Sequence, residues 1–232
     1  MSVVNASSDN SLKSLSAAMG RMFRDAAASG TSDVVVQCGQ QEIPAHRIIL
    51  MARYDVKCIY LHIFRISGFY TLKQKLCRSP VMERMFQTEM KEQREGVVNI
   101  DNFAMEDVFQ MIEYMYTGMV GEGYSRFEML LQLSNQYEVL DLFFLCANKM
   151  SQSLRKDNAL EYGILGDRHN SEILVKNAAK YICANMNVKD CLHQEDWMQR
   201  MKTSPKLMTE IMKILADDNE AMKNNRKTKR WI

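Results

Sequence analysis

Apolar positions along the 232-residue chain change their spacing from segment to segment, and the changes delimit its elements. Leu15, Met19, Met22 and Phe23 stand at i, i+4, i+7 and i+8, the spacing of one helical stripe, in a helix expected from Leu12. The Ser/Asn-rich residues 1–11 ahead of it are expected to be disordered. Gly30-Thr31-Ser32-Asp33 breaks the helix, and the β-branched run VVVQC then predicts a strand, with a turn at GQQ and a short second strand at EIPAH. Arg47–Arg53 reads as helical. SPVMERMFQTEM reads as a helix with Ser79 as N-cap and Pro80 at its first position. VVNID predicts a third strand, and AMEDVFQMIEYMYTG a helix with apolar residues at 105, 108, 109, 111, 112, 115 and 116, closed by Gly118. From Tyr124 onward every segment reads as helical, up to the basic tail NNRKTKRWI.

One stretch obeys neither rhythm. Tyr54–Cys77 is 24 residues with a single acid, Asp55, two of the six cysteines and none of the 19 methionines. Removing Tyr54–Arg78 joins Met51-Ala52-Arg53 directly to Ser79-Pro80-Val81. An intron splitting an arginine codon as AG|G would, if translated, start Arg-Tyr and end Cys-Arg, which is how Arg53-Tyr54 and Cys77-Arg78 read. The stretch therefore reads as a retained in-frame intron or its gene-model equivalent. The alternative is a genuine loop insertion, which costs only a few tenths of a kcal/mol per doubling of length. Its five aromatics and β-branched aliphatics are poor loop material.

Composition narrows the function. A formal charge of +2 gives no chain-wide field for nucleic acid or an anionic membrane, and neither is expected as a partner. The cysteines at 38, 58, 77, 146, 183 and 191 form no CxxC pair and no disulfide framework. With a polar start in place of a signal peptide, free thiols point to the cytoplasm or nucleus. The longest apolar run, CIYLHIFRISGFY, is interrupted by His62 and Arg65 and falls short of the roughly 20 residues a span needs.

Chemistry-bearing motifs are missing. No GxSxG, GxxxxGK[ST], HExxH or GxGxxG occurs, and the histidines at 46, 62, 169 and 193 have no zinc-ligand spacing with cysteine. His46 is a candidate general base, against which stands a structural histidine at a strand-to-helix junction. Asp167 and His169, at i, i+2 on a helix, do not face each other. No enzyme activity, metal or cofactor is expected.

Four stretches carry a resemblance. Asp33-Val34-Val35-Val36, Ala45-His46-Arg47-Ile48-Ile49-Leu50, Ala52-Arg53 joined to Ser79-Pro80-Val81-Met82 with Met85-Phe86, and Met115-Tyr116-Thr117-Gly118 together resemble the BTB/POZ domain, with Asp33 and His46 as its structural signature. The helical segments beyond are similar to the BACK-type region of the MATH-BTB family, although some thirty mostly polar residues stand where those relatives carry a MATH domain. The resemblance implies an α+β fold, a BTB/POZ small sheet flanked by helices over 12–120 with an atypical insert at 54–78. An all-α BACK-like helical region over 121–216 and a basic tail over 217–232 follow. It also implies a non-catalytic homodimer or a pairing with MATH-BTB relatives, with Leu15, Met19, Met22 and Phe23 at the seam.

Relatives that bind cullin-3 carry a hydrophobic-x-acid motif after the SPVMERMF helix, and here that position reads Met90-Lys91-Glu92, with Tyr116 on the same face. The expected role is thus a substrate-adaptor subunit of a cullin-3 ubiquitin ligase acting on an unknown protein. The alternative is a nuclear, transcription-linked dimerisation module without cullin, addressed by Arg226, Lys227, Lys229 and Arg230, or a truncated dominant-negative form.

Overall fold

The computed structural model describes residues 3–51, 53–54, 76–77, 79–88, 91–188 and 195–228. It divides into two compact units, Met1–Phe143 and Phe144–Ile232. In the first, helix α1 (Val3–Arg24) and the short α2 (Ala26–Ser29) precede the hairpin of β1 (Val34–Cys38) and β2 (Gln41–Ala45). Then come α3 (Arg47–Met51), β3 (Arg53–Tyr54), β4 (Leu76–Cys77), α4 (Pro80–Gln87), α5 (Lys91–Glu95), β5 (Val97–Asn99), α6 (Met105–Thr117) and α7 (Phe127–Gln136). Helix α8 (Leu140–Gln152) is followed by α9 (Ala159–Arg168), α10 (Glu172–Asn185), α11 (Glu195–Lys202) and α12 (Pro205–Thr228). The expected α+β architecture is present: a small sheet among helices, then helices alone.

The sheet has the order β2-β1-β5, with β1 antiparallel to β2 and parallel to β5. Alternation places Val34, Val36 and Cys38 in the core. Gly39, at φ +60°, supplies the left-handed residue of the tight turn that sets Cys38 opposite Gln41. Pro44 has no N–H to give, and it sits on β2, an edge strand, where that lack is tolerated.

Local signals explain the helix ends. Ser79, fully buried, accepts a hydrogen bond from Met82 N–H at 3.1 Å and donates its own hydroxyl to the Tyr137 carbonyl at 2.6 Å, so α4 starts where Ser-Pro directs it. Gly118, at φ +71°, caps α6 by giving its N–H to Tyr114 O at 2.8 Å. Helix α6 runs through the core of this unit. Val108, Met111, Ile112 and Met115 are fully buried, together with the polar Asp107.

Two expectations are adjusted. The backbone of α1 is helical from Val3, so it overlaps the stretch expected to be disordered; a nucleated helix extends at the gain of one hydrogen bond per residue. Helix α3 ends at Met51 rather than Arg53, because Arg53–Tyr54 turns into a two-residue antiparallel ladder with Leu76–Cys77. Within the stretch read as helical, Glu195–Lys202 forms a helix of its own, burying Trp197 and Met201. The remainder of the insert lies outside the described residues.

The second unit closes around Leu160, Ile164, Val175, Ala178, Ile182, Trp197, Met201, Leu207 and Ile211. Gly163 permits the approach of α12 to α9, since a Cβ there would stand 2.6 Å from a Leu207 methyl. No helix among the described residues is long and apolar enough to cross a membrane.

Candidate functional site

The helical stripe of α1 divides into an inner and an outer part. Phe23 is buried, its ring 4.9 Å from Tyr116 and 5.1 Å from Phe109. The expectation that it belongs to a dimer seam is corrected: aromatic packing against α6 takes Phe23 into its own core. The helix is further fastened to α6 by Ser16, whose hydroxyl donates to Thr117 O at 2.7 Å. Gly20 makes the crossing close, since a Cβ there would meet the Thr117 methyl at 3.2 Å. Leu15 and Met22 remain 59% and 36% exposed, two turns apart on one face, and Met19 is half-buried between them. Met119, likewise exposed, follows two residues after the carbonyl that anchors Ser16.

Tyr116 does not face a partner. It is 3% exposed, and its hydroxyl accepts from His46 N–H at 2.8 Å while standing 2.7 Å from His46 Nδ1. The other ring nitrogen, Nε2, stands in hydrogen-bond reach of Thr31 Oγ1 at 3.0 Å, so both ring nitrogens have a hydroxyl partner. Burial pushes the Tyr116 phenol up to about 12, with the His46 N–H acting in the opposite direction and Asp33 adding a smaller upward push. His46 is therefore a fully engaged structural group linking the β2–α3 junction to the end of α6.

Asp33 and Arg47 form the next link. Asp33 Oδ1 accepts from Arg47 N–H at 2.7 Å, and Arg47 Nε donates to Asp33 O at 3.1 Å. The guanidinium continues to Gln93 O, 3.1 Å from Nη1, and lies 5.5 Å above the centre of the Phe86 ring. Gln93 belongs to α5, which carries Glu92, a half-buried residue. Met90 lies outside the described residues, as do Lys229 and Arg230 and the side chains of Arg226 and Lys227.

A buried charge cluster had no signal in the sequence. Asp107, in the first turn of α6, is fully buried. It receives Arg126 Nε at 3.0 Å and Nη2 at 2.9 Å, together with the Tyr124 hydroxyl at 2.7 Å. The two-pronged pair fastens the loop before α7 to α6, and the N-terminal end of a helix favours the carboxylate. Nineteen positions separate the two charges, beyond the reach of any helical spacing rule.

In the second unit, a groove of about 440 Å³ is lined by Asn170, Glu172, Lys176, Lys206, Glu210 and Lys213. Its cations are engaged locally: Lys176 pairs with Glu172 at 3.1 Å and Lys213 with Glu210 at 2.8 Å, while Lys206 Nζ donates to Asn170 Oδ1 at 2.5 Å and its backbone N–H to Asp167 at 2.9 Å. No group of three or more His, Cys, Asp or Glu side chains among the described residues is placed to hold a metal ion.

The family model of the BTB/POZ domain, a protein-interaction module, matches residues 69–154, a span that includes Tyr116 of the interlocked group and follows Asp33, His46 and Arg47. That span holds α4 to α8, and the β1–β2 hairpin precedes it. Two curated relatives are similar. "BTB and MATH domain-containing protein 42" of Caenorhabditis elegans is 23% identical over 82% of this chain and 40% of its own length. "TD and POZ domain-containing protein 4" of Mus musculus is 29% identical over 60% of this chain and 38% of its own. The chain thus spans about two fifths of the length of these relatives.

Proposed function

We propose that the chain is a non-catalytic adaptor that pairs with a second copy or a MATH-BTB relative and presents a substrate protein to a cullin-3 ubiquitin ligase. The exposed Leu15–Met22 face carries the reading: α1 is pinned on one side by Phe23 and Ser16, and two large apolar side chains remain on the other. Covering such a face with its own copy satisfies both at once under two-fold symmetry. Glu92, with Met90, supplies the second surface. An apolar side chain there fills a partner pocket, and the carboxylate pairs at its rim.

The test is a pulldown with the purified cullin-3 N-terminal domain, alongside light scattering for the oligomeric state. Glu92→Lys should weaken capture while changing stability by under about 0.5 kcal/mol, as for a surface charge. A dimer that captures no cullin would shift the reading to a transcription-linked dimerisation module. A monomer that captures none would remove both.

A further inference from the structure

Helix α5 is five residues long, too short to persist on its own, yet it carries Glu92. Its hold on the domain includes two parts. Gly96, at φ +67°, closes the helix by giving its N–H to Glu92 O at 3.1 Å, and its own carbonyl accepts Val35 N–H at 2.8 Å. The second part is the Arg47 side chain, which crosses from Asp33 O to Gln93 O above the Phe86 ring. Space for it depends on Gly96, because a Cβ there would stand 3.0 Å from Arg47 Nη2.

We infer that Arg47 is the positioning residue of the Glu92 surface: its guanidinium sets the bearing of α5 against the start of β1, and through it the direction of the Glu92 carboxylate. The geometry needs a flat, forked donor. Nε and Nη1 reach two carbonyls from separate elements while the plane rests on an aromatic face, and a lysine ammonium, a single point on a flexible stem, cannot do all three. Arg47 sits 45 positions from Glu92 and need not touch the partner itself. The partner assignment rests on the adaptor reading above; the placement of α5 does not.

The experiment combines binding with local exchange on the full chain. Arg47→Met, which keeps the stem, and Arg47→Lys, which keeps the charge, are compared with the parent and placed in a Glu92→Lys background. Calorimetry with the cullin-3 N-terminal domain should show about tenfold weaker binding for each single Arg47 variant, and no further loss when Glu92 is already reversed, the signature of two residues acting through one contact. Amide exchange at Gly96, whose N–H closes α5, should quicken about tenfold in both Arg47 variants while Val36 in β1 is unchanged, since a lost local tether opens one unit and not the whole domain. Equal losses in both backgrounds, or unchanged exchange at Gly96, would overturn the inference. A parent chain that binds no cullin refutes the adaptor reading alone, and the exchange comparison still decides whether Arg47 holds α5. If Arg47→Met fails to fold, Arg47→Lys carries the same comparison.

Discussion

Replacing Tyr116 by Phe removes one oxygen atom and leaves the ring, so its effect isolates the link between α6 and the β2–α3 junction. The hydroxyl serves two groups of His46, the backbone N–H at 2.8 Å and Nδ1 at 2.7 Å, in a site where the tyrosine is 3% exposed and the histidine 9%. The imidazole can respond by moving its hydrogen between nitrogens, but the backbone N–H has no such freedom. One stranded buried donor costs about 1–3 kcal/mol, and a second unsatisfied group raises the total toward about 4 kcal/mol. The Phe23 and Phe109 rings stay packed, so no cavity term is added.

Against a total stability on the order of 5–15 kcal/mol this is a large fraction. Urea unfolding should show an unchanged slope and a midpoint lowered by about 1 M, given slopes of about 1–3 kcal/mol per M. His46→Ala in the Tyr116→Phe background should cost less than in the parent, because one of the two interactions is already gone. A loss below about 0.5 kcal/mol for Tyr116→Phe would mean that water reaches the His46 N–H and that the hydroxyl does not hold α6 to the β2–α3 junction.

Three further outcomes follow from the same geometry. Asp107→Asn should lower the melting temperature, because the amide turns an N–H donor toward the Arg126 guanidinium where a carboxylate oxygen stood; an unchanged melt would show the pair to be dispensable. Alkali should unfold the protein in a window opening near pH 9 and extending to about pH 12: burial pushes the Cys146 thiol from 9.0 and the Tyr116 phenol from 10.0 each up to about 12, so the unfolded chain loses these protons first and stability falls as pH rises. Circular dichroism would follow it, and a flat profile to pH 12 would contradict the burial of both groups. Leu15→Asp with Met22→Asp should give monomers by light scattering with the melting temperature of the isolated fold little changed, since both side chains are exposed in the single chain; a persistent dimer would place the seam elsewhere.

What could be read in advance was what depends on neighbours in sequence. The Val34-Val36-Cys38 alternation, the Ser79-Pro80 start of α4 and the Gly118 stop of α6 are each decided within a few residues, and each is where the pattern put it. The α1 stripe was visible too, but periodicity gives the width of an apolar face and not which edge of it turns inward. Phe23 went to the core and Leu15 to the surface because of rings on α6, some ninety positions away. The same limit hid Asp107 with Arg126, and the tether from Arg47 to Gln93. Tyr116 was assigned to a surface because its motif lies near one, whereas its hydroxyl is committed to a residue 70 positions earlier. Contacts between distant groups follow from the fold, and no local rule contains them.

The 54–78 stretch meets the rest of the chain through two short strands, and this bears on whether it can be removed. Arg53 stands opposite Cys77 and Tyr54 opposite Leu76, so the chain leaves after α3 and returns beside its point of departure, just before Ser79. Opposed residues in an antiparallel pair have Cα atoms about 5 Å apart, and two further bonds of about 3.8 Å lead from Cys77 to Ser79. Joining Arg53 directly to Ser79 thus asks for a movement of several ångströms at most. Ser79 cannot supply it, since its hydroxyl is held by Tyr137 O at 2.6 Å and by Met82 N–H at 3.1 Å, so the residues after α3 must. Excising the 25 residues Tyr54–Arg78 shortens the connection by about three doublings, which releases about 2 kcal/mol of closure entropy if the excised stretch packs nowhere on the body. The shortened chain should then melt about 4–8 °C higher, at about 2–4 °C per kcal/mol for a chain of this size, and stay soluble at higher concentration once the aromatic, acid-poor window is gone. Equal melting temperature and solubility would mean that the insert packs against the domain and contributes as much as its closure costs. A lower melting temperature would go further, making it part of the fold and ending the retained-intron reading.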